Sequence, residues 1–254
     1  CRSTAVAVGD EYVLNGHKCF ITNGALADIY TVVASTDPSK GVKGLTMFMV
    51  DRNTPGLSVG KHEDKMGIRL SNTADVIFED VRIPKANRIG SEGSGFKIAM
   101  ETLNQGRAGP CSSAVGIARA AFEYAVKYSQ ERVTFGKPIC SNQAIQFMLA
   151  DMGMKIEASR QLGFHVADLI DHGKMAEVSK LASMAKCFST DMLQSVTSDA
   201  VQIFGGYGYM RDYPVEKLMR DAKIYQIFEG TNQIQRMVIA GALLKEHRVK
   251  KGMR

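Results

Sequence analysis

Cysteine and proline are scarce in this sequence, and long apolar runs do not occur in it. Of the 254 residues, five are cysteine and six are proline. The cysteines are odd in number, widely spaced and without a C-x-x-C pair, so we expect neither a disulfide framework nor a structural zinc site. No apolar run approaches the length that crosses a membrane, so we expect no membrane span. A reducing, intracellular compartment fits this cysteine usage best.

The short motifs of several large enzyme classes are also missing. There is no Walker A sequence and no G-x-G-x-x-G after a strand, so nucleotide phosphates are not held in either of these ways. Neither H-E-x-x-H nor G-x-S-x-G occurs, so metal hydrolysis and serine nucleophile chemistry have no support. We expect no metal site, and we interpret every histidine as a surface or satisfied residue: His17, His62, His165, His172 and His247.

The formal charge of +6 does not indicate a nucleic-acid-binding protein. The last ten residues carry five basic side chains and one acid, so they supply most of this charge. The rest of the chain is only mildly basic. We interpret residues 248–254 as a solvated basic tail. The first residue is Cys1 rather than Met, and we expect the sequence to be the downstream part of a longer chain.

Residues 1–88 show the patterns of β-strands. The Asn15-Gly16 pair separates two short apolar runs, and because both residues tolerate positive φ it predicts a hairpin turn. Runs rich in β-branched and aromatic residues predict further strands, over 28–34, 45–50 and 74–81. We therefore expect a β domain over this half of the chain.

Residues 89–247 change to helical periodicity. Apolar residues recur every three to four positions from about 96 past 124, and again over 141–170, 175–204 and 233–244. Most of the 14 methionines and many alanines lie in this half, which is the composition of a packed helical bundle. We interpret the methionines as core filling. The sequence thus predicts an α+β protein in which a β domain precedes a helical domain.

Three segments of the helical half are candidates for a ligand site. Residues 131–136 place a cation, a hydroxyl and an aromatic ring beside a glycine. Residues 202–209 contain three glycines, whose backbone amides can approach a ligand closely; the alternative is a helix C-cap with a tight connection. In residues 228–231, Glu229 stands between an aromatic residue and a glycine, so desolvation would suit it to act as a base. The alternative is helix capping by Glu229 or Thr231.

Together these segments resemble the acyl-CoA dehydrogenase family. Every fixed position of the family's C-terminal signature is filled by the pattern Gln202-x-x-Gly205-Gly206-x-Gly208-Tyr209-x-x-Asp212-x-x-x-x-Lys217-x-x-x-Asp221. The resemblance continues upstream through residues 20–24, 65–69, 78–81, 95–97 and 132–136. It covers the chain apart from the basic tail. So many ordered matches are highly specific for the family and less specific for the substrate.

The resemblance implies a fold and a set of partners. Family members have an N-terminal helical domain, a middle antiparallel β domain and a C-terminal antiparallel four-helix domain. This chain resembles the later part of the middle domain, over 1–88, and all of the last domain, over 89–247. The family implies FAD, an acyl-CoA substrate, an electron-transfer flavoprotein and a homo-oligomer, most simply a dimer of dimers. It also implies fatty acid β-oxidation in the bacterial cytoplasm or the mitochondrial matrix.

The FAD contacts of the family carry over residue by residue. Phe20, Ile21 and Thr22 resemble the strand against the isoalloxazine ring, with the Thr22 hydroxyl a partner for flavin N5. Phe20 stands where some members have Trp, so a flat ring is retained. The Arg132 guanidinium suits a pyrophosphate. The resemblance implies contacts to a neighbouring subunit's FAD for Arg132, Thr134, Phe135, Gln202, Gly205 and Gly206, adenine-side contacts for Asn142 and Gln143, and contacts to the chain's own FAD for Thr231 and Gln233.

Glu229 resembles the catalytic base of the straight-chain branch of the family. The implied reaction converts a short- or medium-chain acyl-CoA to a trans-2-enoyl-CoA, with Glu229 taking the α-proton and flavin N5 accepting the β-hydride. The backbone N–H of Glu229 and a flavin ribityl hydroxyl would polarise the thioester carbonyl. Some relatives place the base just before an arginine. The corresponding residue is Gly106, before Arg107, which cannot be a base and so favours Glu229.

The substrate contacts and two alternative functions stay open. Asn104 stands where several relatives have Asp, and Lys43 is either a CoA phosphate contact or a solvated loop lysine. The alternatives to a dehydrogenase are an enoyl-CoA reductase of the same build and a non-catalytic fragment that serves as an assembly module. The candidate substrate contacts are Lys43, Asn104, Gln105, Gly106, Arg107 and Gly230.

Overall fold

The computed structural model describes residues 2–106 and 108–248 and divides the chain into two compact units. The first unit runs to Thr102 and the second begins at Leu103. The predicted α+β class, an antiparallel sheet followed by a helical bundle, is confirmed. The predicted limits 1–88, 89–247 and 248–254 stay predictions. None of the described helices is both long and apolar enough to span a membrane.

The first unit is built on a seven-stranded sheet. Its strands are β1 (Thr4–Val8), β2 (Glu11–Thr22), β3 (Ile29–Ser35), β4 (Leu45–Asp51), β5 (Leu57–His62), β6 (Thr73–Pro84) and β7 (Arg88–Ile89). They lie in the order β5-β6-β2-β1-β3-β4-β7. Neighbours pair antiparallel except at one short parallel contact of β1 with β3. The core on one side of the sheet includes Tyr12, Leu14, Phe48 and Val81, all buried.

The predicted hairpin at Asn15-Gly16 is wrong, because β2 runs straight through both residues. The two-residue turn lies earlier, at Gly9-Asp10, between β1 and β2. At Gly16 the pairing of β2 with β6 shifts register, as at a β-bulge. A Cβ on Gly16 would lie 2.4 Å from the Ser3 hydroxyl oxygen. Gly16 therefore permits a close approach of two chain segments rather than a turn.

The second unit is a helical bundle. Its helices are α2 (Ala108–Glu131), α3 (Gln143–Asp171), α4 (Met175–Phe204), α5 (Val215–Ala222) and α6 (Asn232–Glu246), and α1 (Gly95–Gly106) precedes them. Helices α2, α3 and α4 pack against one another, and α6 packs on α4. A short hairpin of β8 (Val133–Thr134) and β9 (Lys137–Pro138) joins α2 to α3. The periodicity located the long helices, but it missed the eight-residue α5 and ran α1 and α2 together.

Alanine, not methionine, dominates the core of this bundle. Buried alanines line one face of α2 at heptad-like spacing, and α4 adds three more, at 182, 185 and 200. Met152 and Met192 are buried, but Met154 and Met237 are more than half exposed. The interpretation of the methionines as core filling is therefore wrong for several of them. Small side chains let the helix axes approach closely, so the bundle needs few long apolar residues inside.

Candidate active site

The loop that carries Glu229 reverses the chain just before α6. Glu229 has φ +54° and Gly230 has φ +84°, two consecutive residues in the left-handed region. The ring of Phe228 packs edge-on against Tyr225 at 4.8 Å between centroids. A Cβ on Gly230 would come within 2.7 Å of the Gln235 side-chain nitrogen. Glycine at this position therefore leaves space for the side chain that supports the loop.

Buried polar side chains hold the backbone of this loop from beneath. Lys186 on α4 is fully buried, and its Nζ donates to the carbonyl oxygen of Gly230 at 2.9 Å. Gln235 is equally buried, and its Nε2 donates to the carbonyls of both Glu229 and Gly230 at 3.1 Å. Buried donors of this kind fix carbonyl directions, since an unmade bond would leave the donor desolvated and unpaired. The backbone at Glu229 is therefore preorganised.

Asn232 links Lys186 to a second charged residue of α4, Asp191. Lys186 Nζ donates to Asn232 Oδ1 at 2.8 Å, and Asn232 Nδ2 donates to Asp191 Oδ1 at 2.7 Å. Gln226 and Arg236 also donate to the Asp191 carboxylate. Burial raises the pKa of Asp191, but these three hydrogen-bonding partners outweigh it and leave the pKa below its usual range. The carboxylate therefore stays charged and anchors the start of α6.

Two groups of Glu229, its side-chain carboxylate and its backbone N–H, are left without a partner in the loop. Its side chain is exposed. Within residues 2–106 and 108–248, its backbone N–H finds no hydrogen-bond acceptor. The unit thus supplies a free carboxylate and a free backbone donor on one residue. The second unit's own residues do not bury Glu229, so any desolvation of the carboxylate has to come from what binds there.

Helix capping is performed by Thr231 rather than by Glu229. Thr231 is the N-cap of α6, and its side-chain oxygen accepts from the backbone N–H of Ile234 at 3.3 Å. The capping alternative is therefore confirmed for Thr231. Glu229 makes no such bond within the described chain, so capping does not explain it. Gln233, in the first turn of α6, is exposed.

A second group of predicted residues surrounds one open cavity of about 510 Å³ at the end of α4. Arg132 and Thr134 line it from the segment after α2, and Gly205 and Gly206 line it from the segment after α4. The Arg132 guanidinium lies 5.8 Å from the centroid of the Tyr207 ring. Arg132 forms no ion pair with any described residue. The cavity thus combines an unpaired cation with open glycine backbone, which suits an anionic group.

The three glycines at the end of α4 have different roles. Gly205 is the C-cap of α4, with φ +61°, so the C-cap alternative is confirmed for this residue. Gly208 is buried, and a Cβ on it would lie 2.4 Å from the Val201 carbonyl oxygen. A Cβ on Gly206 would meet no atom within 4 Å. Gly208 is thus required for packing, whereas Gly206 leaves its backbone open beside the cavity. Gln202, one turn earlier, is exposed.

The β8–β9 hairpin ends in a turn formed by Phe135 and Gly136. Both have positive φ, +50° and +77°, as a type I′ turn requires. The Phe135 side chain is fully exposed. Asn142 and Gln143, at the start of α3, are also exposed. The hairpin therefore holds a strained, solvent-facing aromatic ring that contacts nothing in its own unit.

In the first unit, Phe20, Ile21 and Thr22 lie at the end of β2. The pairing of β2 with β6 shifts register between Lys18 and Ile21. Phe20 sits in this irregularity with φ +58° and is 72% exposed. Thr22 is exposed as well. The bulge thus turns a large ring out to the surface, which is a frequent use of β-bulges next to active sites.

The predicted substrate contacts are the least described part of the chain. Lys43 is exposed in the 3-10 segment Pro38–Gly44, and Gly106 is exposed at the end of α1. The side chains of Asn104 and Gln105, and all of Arg107, lie outside the described residues. Lys186, Asp191 and Gln235 were not found by the sequence reasoning. Each is a polar residue on the apolar face of an amphipathic helix, and apolar periodicity does not select such residues.

Comparisons with known proteins give two matching family models. The middle domain of acyl-CoA dehydrogenases matches residues 1–81, and their C-terminal domain matches residues 93–244. The short-chain specific acyl-CoA dehydrogenase of Megasphaera elsdenii is 55% identical over 234 residues, which cover 92% of this chain and 61% of that protein. The caffeyl-CoA reductase-Etf complex subunit CarC of Acetobacterium woodii is 48% identical over 244 residues, which cover 96% of this chain and 64% of that protein.

The fold of the chain matches solved structures of the same group. The butyryl-CoA dehydrogenase of Megasphaera elsdenii superposes with a TM-score of 0.93 at 53% identity, covering 96% of this chain and 63% of that one. The chain thus spans just under two thirds of the length of these relatives. The middle-domain and C-terminal-domain matches together account for nearly all of its residues. The chain therefore belongs to the acyl-CoA dehydrogenase family.

Proposed function

We propose that this chain is part of a FAD-dependent acyl-CoA dehydrogenase that converts a short- or medium-chain acyl-CoA to its trans-2-enoyl-CoA. Family membership and the short-chain and butyryl-CoA relatives support the reaction and the substrate class. The observation that carries the proposal is Glu229, with its exposed carboxylate and unused backbone N–H on a preorganised loop. Both groups are needed for the chemistry.

Glu229 acts as the base in this proposal. The α-proton of a thioester is weakly acidic, so its removal requires a carboxylate next to Cα and a donor at the carbonyl oxygen. The backbone N–H of Glu229 supplies such a donor, and Gly230 beside it lines the acyl group. Lys186 and Gln235 hold the carbonyls of Gly230 and Glu229, which fixes the backbone that follows this N–H. Bound ligands would exclude water from the carboxylate and from the charge that develops on the thioester.

FAD contacts are proposed in each unit separately. The exposed Phe20 and Thr22, with Ile21 between them, fit the flavin ring. The free Arg132 guanidinium fits a pyrophosphate. When bound, the flavin supplies the acceptor for the β-hydride. The remaining proposed contacts are Thr134, Phe135, Asn142, Gln143, Gln202, Gly205, Gly206, Thr231 and Gln233 for FAD, and Lys43, Asn104, Gln105, Gly106 and Arg107 for the CoA and acyl portion.

We also propose a homo-oligomer, most simply a dimer of dimers. Phe135 is a fully exposed ring on a strained turn, and the family resemblance makes it a contact to the FAD of a neighbouring subunit. The four described cysteines are free thiols, which supports a reducing compartment, either the bacterial cytoplasm or the mitochondrial matrix. Sedimentation of a Phe135→Ser variant should show weaker association, and a monomer that keeps bound, reducible FAD would contradict shared cofactor sites.

The decisive experiment compares Glu229→Gln with a matched surface variant, Glu177→Gln. Both proteins are loaded with FAD and mixed with butyryl-CoA. We expect the first to keep its flavin absorbance and lose its bleaching by substrate, and the second to bleach like the parent. Bleaching of Glu229→Gln at the parental rate would show that the base lies elsewhere. A parent protein that binds no FAD would instead favour an assembly module without catalysis.

The second candidate function is an enoyl-CoA reductase of the same build. It is favoured by the 48% identity to the subunit of a caffeyl-CoA reductase-Etf complex. In either direction we propose an electron-transfer flavoprotein as the redox partner. Rates measured with reduced flavoprotein and enoyl-CoA, against oxidised flavoprotein and acyl-CoA, distinguish the two directions. A much faster reductive reaction would replace the dehydrogenase proposal.

A further inference from the structure

Three different metal-ligating side chains meet on the surface of the first unit's sheet. His17 and Cys19 lie on β2, and Asp75 lies on β6. One nitrogen, one sulfur and one oxygen of these residues all lie within 4.8 Å of one another. The histidine Nε2 is 2.8 Å from Asp75 Oδ2 and 3.7 Å from Cys19 Sγ. The FAD and substrate contacts proposed above do not include any of the three.

Strand geometry explains why these donors share one face. His17 and Cys19 are two residues apart on β2, so their side chains point to the same side of the sheet. His17 pairs with Ile77 on β6, and Asp75 is two residues from Ile77, on the same side. On the next strand, β5, a Cβ at Gly60 would lie 3.1 Å from the Asp75 Cβ. Glycine there leaves space beside the carboxylate.

The contacts converge on a single atom, which distinguishes a ligand set from a proton relay. Both Cys19 and Asp75 approach His17 through Nε2. In a thiol–imidazole–carboxylate relay the two partners occupy different ring nitrogens, because one accepts a proton while the other is held by the acid. Three donors that face one point can instead surround a cation. Neutral imidazole, thiolate and carboxylate are all ligands of zinc.

Two of the three donor separations can be compared with those of a tetrahedral site. Zinc bond lengths of about 2.0–2.3 Å imply donor separations of about 3.4–3.6 Å. The sulfur–nitrogen distance of 3.7 Å already fits, and the 2.8 Å nitrogen–oxygen distance has to open modestly. His17 and Cys19 are exposed, so their side chains are free to make this adjustment. Three protein ligands leave a fourth position for water.

The second oxygen of Asp75 adds an independent indication of a missing positive partner. Asp75 Oδ1 is buried and has no hydrogen-bond donor among the described residues. A buried carboxylate oxygen without a donor is unfavourable unless a cation compensates it. The neighbouring Lys61 ammonium is paired with Glu63 at 2.8 Å. Asp75 makes only a smaller contribution than Glu63 to the raised pKa of this lysine, and a metal ion would add a positive charge in direct contact with the Asp75 carboxylate.

We propose that His17, Cys19 and Asp75 form a binding site for a thiophilic divalent cation, with Zn²⁺ as its natural representative. The mixed nitrogen, sulfur and oxygen set selects first-row metals such as Zn²⁺ and Co²⁺ over Mg²⁺ or Ca²⁺, which prefer oxygen ligands. This proposal departs from the expectations from the sequence that there is no metal site and that His17 is a surface or satisfied residue. It does not depend on the proposed dehydrogenase activity.

The test is a Co²⁺ titration of the reduced, chelator-treated 254-residue chain, followed by absorbance. Cobalt bound by a thiolate gives a charge-transfer band in the near ultraviolet and visible bands typical of tetrahedral geometry. We expect both in the parent and their displacement by Zn²⁺. Cys19→Ser should lose the charge-transfer band. His17→Ala and Asp75→Asn should weaken binding by about tenfold or more, a scale that even indirect partners of a metal produce.

Two matched controls and a folding check make the test decisive. Cys140→Ser removes another thiol and His62→Ala another exposed imidazole of the same sheet. Both should bind cobalt like the parent. All variants should show parental circular dichroism, since each replaces a side chain by one of similar or smaller size. A parent without the thiolate band, a band that survives in Cys19→Ser, or a band lost in Cys140→Ser would each overturn the proposal.

Discussion

Removing the buried charge of Lys186 should loosen the loop that carries Glu229. The Lys186 side chain is fully buried on α4, and its Nζ donates to Gly230 O at 2.9 Å and to Asn232 Oδ1 at 2.8 Å. Lys186→Met keeps the unbranched, apolar stem and removes only the ammonium. The expected loss is therefore at least that of these two charge-assisted hydrogen bonds, with little change in packing.

The expected loss of unfolding free energy depends on which hydrogen bonds the two acceptors of Lys186 keep. A hydrogen bond from a charged group contributes about 1.5–3 kcal/mol, so two give about 3–6 kcal/mol. Methionine also removes the desolvation penalty of the buried ammonium, which offsets much of this. Gly230 O keeps a donor in Gln235 Nε2, whereas the nearest hydroxyl to Asn232 Oδ1, that of Thr190 at 3.2 Å, also donates to the Lys186 carbonyl at 2.7 Å. We expect a net loss of about 1–3 kcal/mol in the unfolding free energy of the helical unit.

Urea unfolding followed by far-ultraviolet circular dichroism measures this loss. The control is Lys180→Met on the same helix, whose Nζ bonds the surface carboxylate of Glu246 at 2.6 Å; exposed pairs contribute about 0–1 kcal/mol. Hydrogen exchange at the amides of residues 228–231 should accelerate in Lys186→Met and not in the control. Equal stability and equal exchange in both variants would refute the idea that Lys186 holds the loop.

Three further outcomes are expected. Gly208→Ala should destabilise the helical unit by about 1–3 kcal/mol, because its new Cβ meets the α4 backbone at 2.4 Å, whereas Gly206→Ala should leave the urea midpoint unchanged; equal midpoints would contradict the assigned roles. Hydrogen bonds keep the pKa of Asp191 below its usual range despite burial. The difference in unfolding free energy between the parent and Asp191→Asn should therefore be present at neutral pH and shrink below about pH 4. The backbone carbonyl and then the carboxylate of Asp168 raise the pKa of His172, so its stabilising contribution is present below about pH 6.5 and fades as pH rises through the folded-state pKa; an NMR titration with a pKa at or below the ordinary value would contradict this.

The order and type of the main elements could be predicted from the sequence, because they follow from local periodicity. The long helices and three of the strands fall where the patterns placed them. The prediction of a turn at Asn15-Gly16 is wrong because the turn preference of a dipeptide is a local property. Whether these residues form a turn or a β-bulge depends on the pairing of β2 with β6. The side chain of Asn15 bonds Asp80 across that pair of strands, a contact 65 positions away that no local pattern contains.

The resemblance to the family located the candidate site residues. It did not locate the buried side chains that hold the Glu229 loop. Glu229 and Arg132 stand in segments that carry family motifs. Lys186 and Asn232 stand in no recognisable motif, and a lysine in a helix ordinarily indicates a solvated face. Its burial is possible only because the carbonyl of Gly230, 44 residues later, returns to meet it. Supporting contacts of this kind depend on the tertiary fold and cannot be read from spacing.

Backbone strain connects the resemblance to the proposed site. Among the described residues, those with positive φ that are not glycine are Phe20, Asn23, Ile68, Asp80, Phe135 and Glu229. All of them lie in segments that carry the family resemblance or contain the candidate base. Asn and Asp tolerate this region through local hydrogen bonds, but Phe, Ile and Glu have no such compensation and each costs about 1–2 kcal/mol. Strain that is retained in spite of this cost is a frequent property of functional positions. Two aromatic rings and one carboxylate are held outward in this way, and these are the side chains that the proposed chemistry needs to face the flavin and the thioester.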